Sequence, residues 1–183
     1  MAIEHKKKIT PTWTDVKMKL AEFDRAGLIA LVQDMYSNKE NQAFLHARFG
    51  LGVDTLKPYK ATISRWMRPD LIKHHDISVS KAKKAISDYK KAVGHAEDVL
   101  ELMIFYCEEA AGFSDEFGMD DEGYFDSLLR MFVQVLRLLA DFPMEQRNAV
   151  LIRLDQVRKL SHKFGYGVGD EMDDLLEEYV PLE

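Results

Sequence analysis

The chain has 183 residues, 46% of them hydrophobic and 31% charged, which excludes collagen-like, disordered and membrane-embedded classes and is enough to build a sizeable core. Its longest apolar runs, Val99 to Cys107 and Val135 to Ala140, each contain a charge (Glu101, Arg137) and fall well short of a bilayer span. The net charge of −6 conceals an asymmetry, because residues 1–91 hold 18 Lys and Arg against 10 Asp and Glu, whereas residues 92–183 hold 7 against 21.

In chain order, helical punctuation recurs, and no segment keeps the strict alternation of a half-buried strand. Thr12 followed by Asp15 predicts a capped start for a helix over 15–23; Gly27 separates it from a second over 28–36, and the two are expected to form a short helical hairpin. Asn38 is placed to cap a helix over 39–49 that Gly50 stops. Pro58, tolerated in a first turn, opens a helix over 59–67 and Pro69 closes it. Ser78 or Ser80 then caps 81–93. There Ala82, Ala85, Ile86, Tyr89 and Val93 share one face, and Lys81, Lys84, Asp88 and Lys91 share another, with Lys83 and Lys90 beside them.

Gly94 precedes a helix over 96–110, which Gly112 is expected to end. The segment 123–141 is apolar around most of its circumference except for a stripe at Arg130, Gln134, Arg137 and Asp141, which predicts the central helix of the core. Val99 to Cys107 is similarly apolar and should pack against it. Pro143 suits the first turn of an amphipathic helix over 144–164, stopped by Gly165, and an acidic helix runs from Gly169 and Asp170 to near Tyr179. Short connections and the lack of an internal repeat favour one all-α domain over 1–183, with 1–11 loosely ordered. It would be a compact irregular helical bundle or stacked helical hairpins of about eight helices.

The basic start Lys6-Lys-Lys is followed by Thr10-Pro-Thr-Trp-Thr-Asp rather than an apolar stretch and cleavage site, so no secretion signal is expected. The single cysteine, Cys107, cannot form an internal disulfide, which suits a reducing, cytoplasmic setting.

Leu56-Lys-Pro-Tyr-Lys, Ile77 to Ala92, Leu100-Glu-Leu-Met-Ile-Phe-Tyr-Cys-Glu and Phe125-Asp-Ser-Leu-Leu together resemble a bacterial family of uncharacterised helical proteins, the resemblance lying mainly in residues 56–129. It implies a helical fold and a bacterial origin. No substrate, cofactor or catalytic residue comes with it.

The motifs that could carry chemistry each have a plainer reading. None of the histidines His5, His46, His74, His75, His95 and His162 has the helical spacing that converges ligands on one metal. The acidic loop from Asp115 to Asp126 fails the calcium-loop register, since setting Gly123 at the sixth position puts Leu129 where a bidentate Glu is needed; a turn with acidic charge at the next helix start explains it better. Gly165-Tyr-Gly-Val-Gly-Asp lacks the Lys of a phosphate loop, and the acids after it would repel phosphate, so its glycines serve a flexible connection or close packing. Cys107 sits among Ile104, Phe105, Glu108 and Glu109 and reads as a buried inert thiol. Glu101 and Glu108, two helical turns apart, read as a solvated or ion-paired stripe.

What remains is the basic run over 57–91, in which Lys81, Lys83, Lys84, Lys90 and Lys91 are the candidate binding residues for a partner or for nucleic acid, interleaved with Tyr59, Trp66 and Tyr89. No catalytic, cofactor or metal residues are assigned, and an enzyme would need polar groups that only the fold brings together. The expectation is a non-enzymatic protein–protein interaction or scaffold domain, meeting a protein partner or a second copy of itself and not a membrane. The alternative is a nucleic-acid-binding protein using 57–91. The five lysines are expected to meet acidic surface, within the fold or on another protomer.

Overall fold

In a computed structural model, residues 10–52 and 54–179 are described. They form nine α-helices and a single 3-10 turn, with no strand among the described residues, so the protein is all-α. In order these are α1 (Trp13–Leu20), α2 (Arg25–Met35), α3 (Lys39–Phe49), α4 (Lys57–Met67), the 3-10 turn (Leu71–Lys73), α5 (Val79–Ala92), α6 (Ala96–Phe117), α7 (Glu122–Leu139), α8 (Met144–Ser161) and α9 (Val168–Tyr179). Apart from Thr10 and Pro11, the 1–11 segment expected to be loosely ordered lies outside the described residues. Among the described residues no helix is long and apolar enough to cross a membrane.

The chain divides into two compact units, Met1–Gln42 and Ala43–Glu183. In the first, α1 starts where the sequence places a cap, the Thr12 backbone N–H donating to Asp15 Oδ2 at 2.7 Å. Asp24 caps α2 by accepting from the Gly27 N–H at 2.7 Å. Both helices begin earlier than the apolar pattern suggests, since the cap fixes the start and the first turn carries whatever follows it. Neither α1 nor α2 contains a buried residue, so they lack the shared core that the expected helical hairpin would have.

The second unit is an irregular bundle around α6 and α7. Leu102, Tyr106, Cys107 and Ala110 of α6 and Leu128, Phe132 and Val135 of α7 are completely buried, and α4, α8 and α9 pack around them with Ile63, Leu154 and Met172. As expected, the exposed side of α7 carries its polar stripe, Arg130, Gln134 and Arg137, with Asp141 exposed just beyond the helix end. Inside, Tyr106 and Ser127 share a hydrogen bond of 2.6 Å, and the Tyr124 hydroxyl donates to the Met67 carbonyl at 3.0 Å, occupying an acceptor that the end of α4 leaves open.

A further boundary departs from expectation at α6. Helix α6 runs straight through Gly112 and stops at Gly118, whose φ of +68° is the left-handed conformation of a glycine stop. A mid-helix glycine costs about 1 kcal/mol relative to alanine; burying Phe113, the residue that follows it, outweighs that cost.

Candidate interaction surfaces

Helix α5 presents most of its lysines to solvent. Lys81, Lys84, Lys90 and Lys91 are exposed, whereas Lys83 is half-buried, and burial together with the Arg130 charge lowers its pKa. Lys84 is paired with Asp88 of its own helix at 2.5 Å. Lys81 Nζ lies 3.8 Å from the centre of the Trp66 ring, which the Arg65 guanidinium also approaches. Lys81, Lys90 and Lys91 form no ion pair among the described residues. The acids of the second half instead take other members of the run: Lys60 donates to Glu101 at 2.6 Å, and Arg68 pairs with Glu116. Within the fold, the acidic half therefore covers α4, which packs along α6, and leaves Lys81, Lys90 and Lys91 of α5 exposed. Of the interleaved aromatics, Tyr59 and Tyr89 meet edge to face in the core with centres 5.1 Å apart, so neither is a platform for a base.

Glu101 and Glu108 form the ion-paired stripe that the sequence suggests, with a bridge the sequence does not reveal. Arg153 of α8 donates from Nε and Nη2 to Glu108 at 2.6 and 2.7 Å, and from Nη1 to Glu101 at 2.5 Å. Burial pushes the Glu101 carboxyl up, but the bonds from Arg153 and Lys60 outweigh it and hold the group below its ordinary value. Beside this bridge, Leu100, Ile104, Phe142 and Val150 floor a groove of about 260 Å³ between α6 and α8, with Glu97 and Gln146 on its rim. Its size is below the usual range for small-molecule sites, and its Glu101 and Arg153 charges are spent on one another.

The remaining motifs resolve locally. Cys107 is fully buried, and burial pushes its thiol well above the ordinary value, as an inert packing residue requires. The carboxylates of 115–126 go to separate partners: Asp115 to Lys163, Asp121 to the backbone N–H of Tyr124, and Asp126 to Arg130. In the glycine-rich turn, Gly169 packs so tightly against His162 that an added Cβ would lie 2.7 Å from the His162 Cα.

Sequence spacing does not connect His162 with α9, yet its Nε2 lies 3.2 Å from Asp173 and its Nδ1 3.8 Å from Asp170. The three could offer metal-ligand atoms within 4.8 Å of one another. Arg158 already donates to Asp173 at 2.6 Å, which holds that carboxyl below the usual range and supplies positive charge where a cation would sit.

The largest feature that the sequence left unassigned is apolar. Trp13, Val16, Met18, Phe23, Leu28, Ile29, Val32 and Met35 expose between 39 and 67% of their surface, all within one short stretch of chain. Monomeric surfaces scatter such residues singly, and a concentration of them marks a binding surface. The signal was present in the spacing, since Trp13, Val16, Leu20 and Phe23 recur at three, four and three, and Leu28, Val32 and Met35 at four and three. The expected helical hairpin would pack α1 against α2, whereas neither helix buries a residue.

No family model, no curated protein and no solved structure matches the chain.

Proposed function

We propose that the protein is a non-enzymatic interaction or scaffold protein of the bacterial cytoplasm, acting through a surface on α1 and α2. One observation carries this reading: two consecutive capped helices bury none of their residues and leave large apolar side chains in water. Such a segment gains most of its stability by docking on something else, because helices of this length draw stability from packing rather than propensity. The resemblance of residues 56–129 to a bacterial helical family supports the origin, and the lone free thiol suits a reducing compartment. The paired charges beside the α6–α8 groove give no comparable argument for catalysis.

A second reading, nucleic-acid binding, is favoured by the exposed Lys81, Lys84, Lys90 and Lys91 on α5. Affinity capture from native cells, comparing wild type with Ile29→Glu plus Val32→Glu, tests the first reading. Specific species present with wild type and lost with the variant are expected; identical captures would count against α1 and α2 as the contact surface. Replacing Lys81, Lys83, Lys84, Lys90 and Lys91 with Gln tests the second. Tight RNA or DNA binding that weakens steeply with salt and vanishes in this variant, helicity intact, would reverse the order of the two readings.

A further inference from the structure

We infer that the occupant of the α1–α2 surface is a second copy of the same surface, so that the protein self-associates through an antiparallel, two-fold pairing of its α2 helices. This rests on the reading of α1 and α2 as a docking surface and goes on to name the partner.

The outward side of α2 is a seam of Leu28, Val32 and Met35 at four and three residues, with Ile29 beside it and Arg25 at its start. That is the spacing by which one helix receives another of the same spacing, its side chains entering the holes between the partner's. The segment Ala26 to Val32 carries no charge, and Asp34 projects from the opposite side of the helix to Arg25, so Arg25 is the one charge on the seam. In a parallel pairing the two Arg25 side chains would face each other. In an antiparallel pairing they lie at opposite ends of the seam, about 15 Å apart along the axis.

Charge also distinguishes which surface can accept a copy of itself. Residues 1–42 hold 7 Lys and Arg against 6 Asp and Glu, whereas residues 43–183 hold 18 against 25. Two copies of the first unit meet nearly neutral, while two copies of the second would bring a sevenfold negative charge against its like.

Even at the roughly 150 Å² of a small aromatic for each, the eight exposed apolar side chains of 13–35, at roughly half exposure, offer on the order of 600 Å² per copy, of which the four on α2 supply about half. Both figures fall below the roughly 800 Å² a side of a standard stable interface, so the pairing is weak and concentration-dependent. A unit of this length, with no buried residue in its first two helices, is also in the range where small folds depend on oligomerisation for a core.

The experiment is analytical ultracentrifugation of the full-length chain across low to high micromolar concentration. Wild type is expected to approach twice the 21.1 kDa of one chain as concentration rises. Ile29→Glu and Val32→Glu should each raise the dissociation constant at least tenfold, and Lys159→Gln, on the exposed side of α8, should leave it unchanged. Circular dichroism of each variant confirms that helicity is kept, and the wild-type measurement tests the proposal without any variant. Wild type at monomer mass throughout would overturn the second copy as occupant. If capture from cells still depends on Ile29 and Val32 in that case, the docking surface stands and its partner is another protein. A dimer that persists in both Glu variants would overturn the assignment to α2.

Discussion

Replacing Arg153 with Met keeps the aliphatic stem and removes the charge that bridges α6 and α8. In the wild type this guanidinium makes two bonds to Glu108 and the closest of its bonds to Glu101. Arg153, Glu101 and Glu108 are 31, 30 and 34% exposed, intermediate between a surface pair and a buried one. Surface pairs contribute about 0–1 kcal/mol, and breaking a buried pair costs about 3–5 kcal/mol. The partial exposure and the Lys60 bond that Glu101 retains place the expected loss near 2 kcal/mol, or about 4–8 °C in melting temperature for a chain of this size. The pH dependence follows from the direction of the Glu101 shift. Its folded pKa lies below the ordinary 4.5, so its contribution is present above that value and is lost as pH falls through the lower, folded one. The gap between wild type and variant should therefore narrow as urea titrations followed by circular dichroism are moved from pH 7 to below about 4. A variant within 0.5 kcal/mol of wild type at pH 7, or a gap that holds its size in acid, would refute the assignment of Arg153 as the α6–α8 bridge.

In the core, Leu136→Ala and Leu139→Ala should each destabilise by about 2–5 kcal/mol in the same titrations, because both side chains are buried on α7; values near zero would contradict that packing. Gly169→Ala should cost about 1–3 kcal/mol although it improves helix propensity, since the added Cβ would lie 2.7 Å from the His162 backbone. A neutral or stabilising result would mean that the turn between α8 and α9 yields readily.

The elements legible in the sequence were those set by local chemistry. Asn38 accepts from the Glu40 N–H at 2.7 Å at the start of α3, and Asp15 accepts from the Thr12 N–H at 2.7 Å at the start of α1, because capping is decided within a few residues. The apolar circumference of α7 identified the centre of the core for a similar reason. Arg153 was not identifiable as the partner of Glu101 and Glu108, since its bonds span 45 and 52 residues and no local pattern encodes which helices will be neighbours. The same applies to His162 with Asp173, which a turn brings together. The seams of α1 and α2 were readable, but whether they face each other or solvent is a tertiary choice that spacing leaves open.

The hydrogen bond from Tyr124 to the Met67 carbonyl joins positions 57 residues apart, and the core is closed still later by Val168 and Met172, both completely buried. This arrangement has a consequence for a chain made from its N-terminus. When Met67 leaves the ribosome, the hydroxyl that will bind its carbonyl has yet to be joined to the chain, and the apolar side of α4 has no α5 or α6 to cover it. At some 5–20 residues per second, that interval lasts on the order of seconds. For that time Tyr59, Ile63 and Met67 are surface rather than core, and a binding partner of the nascent chain would find them there.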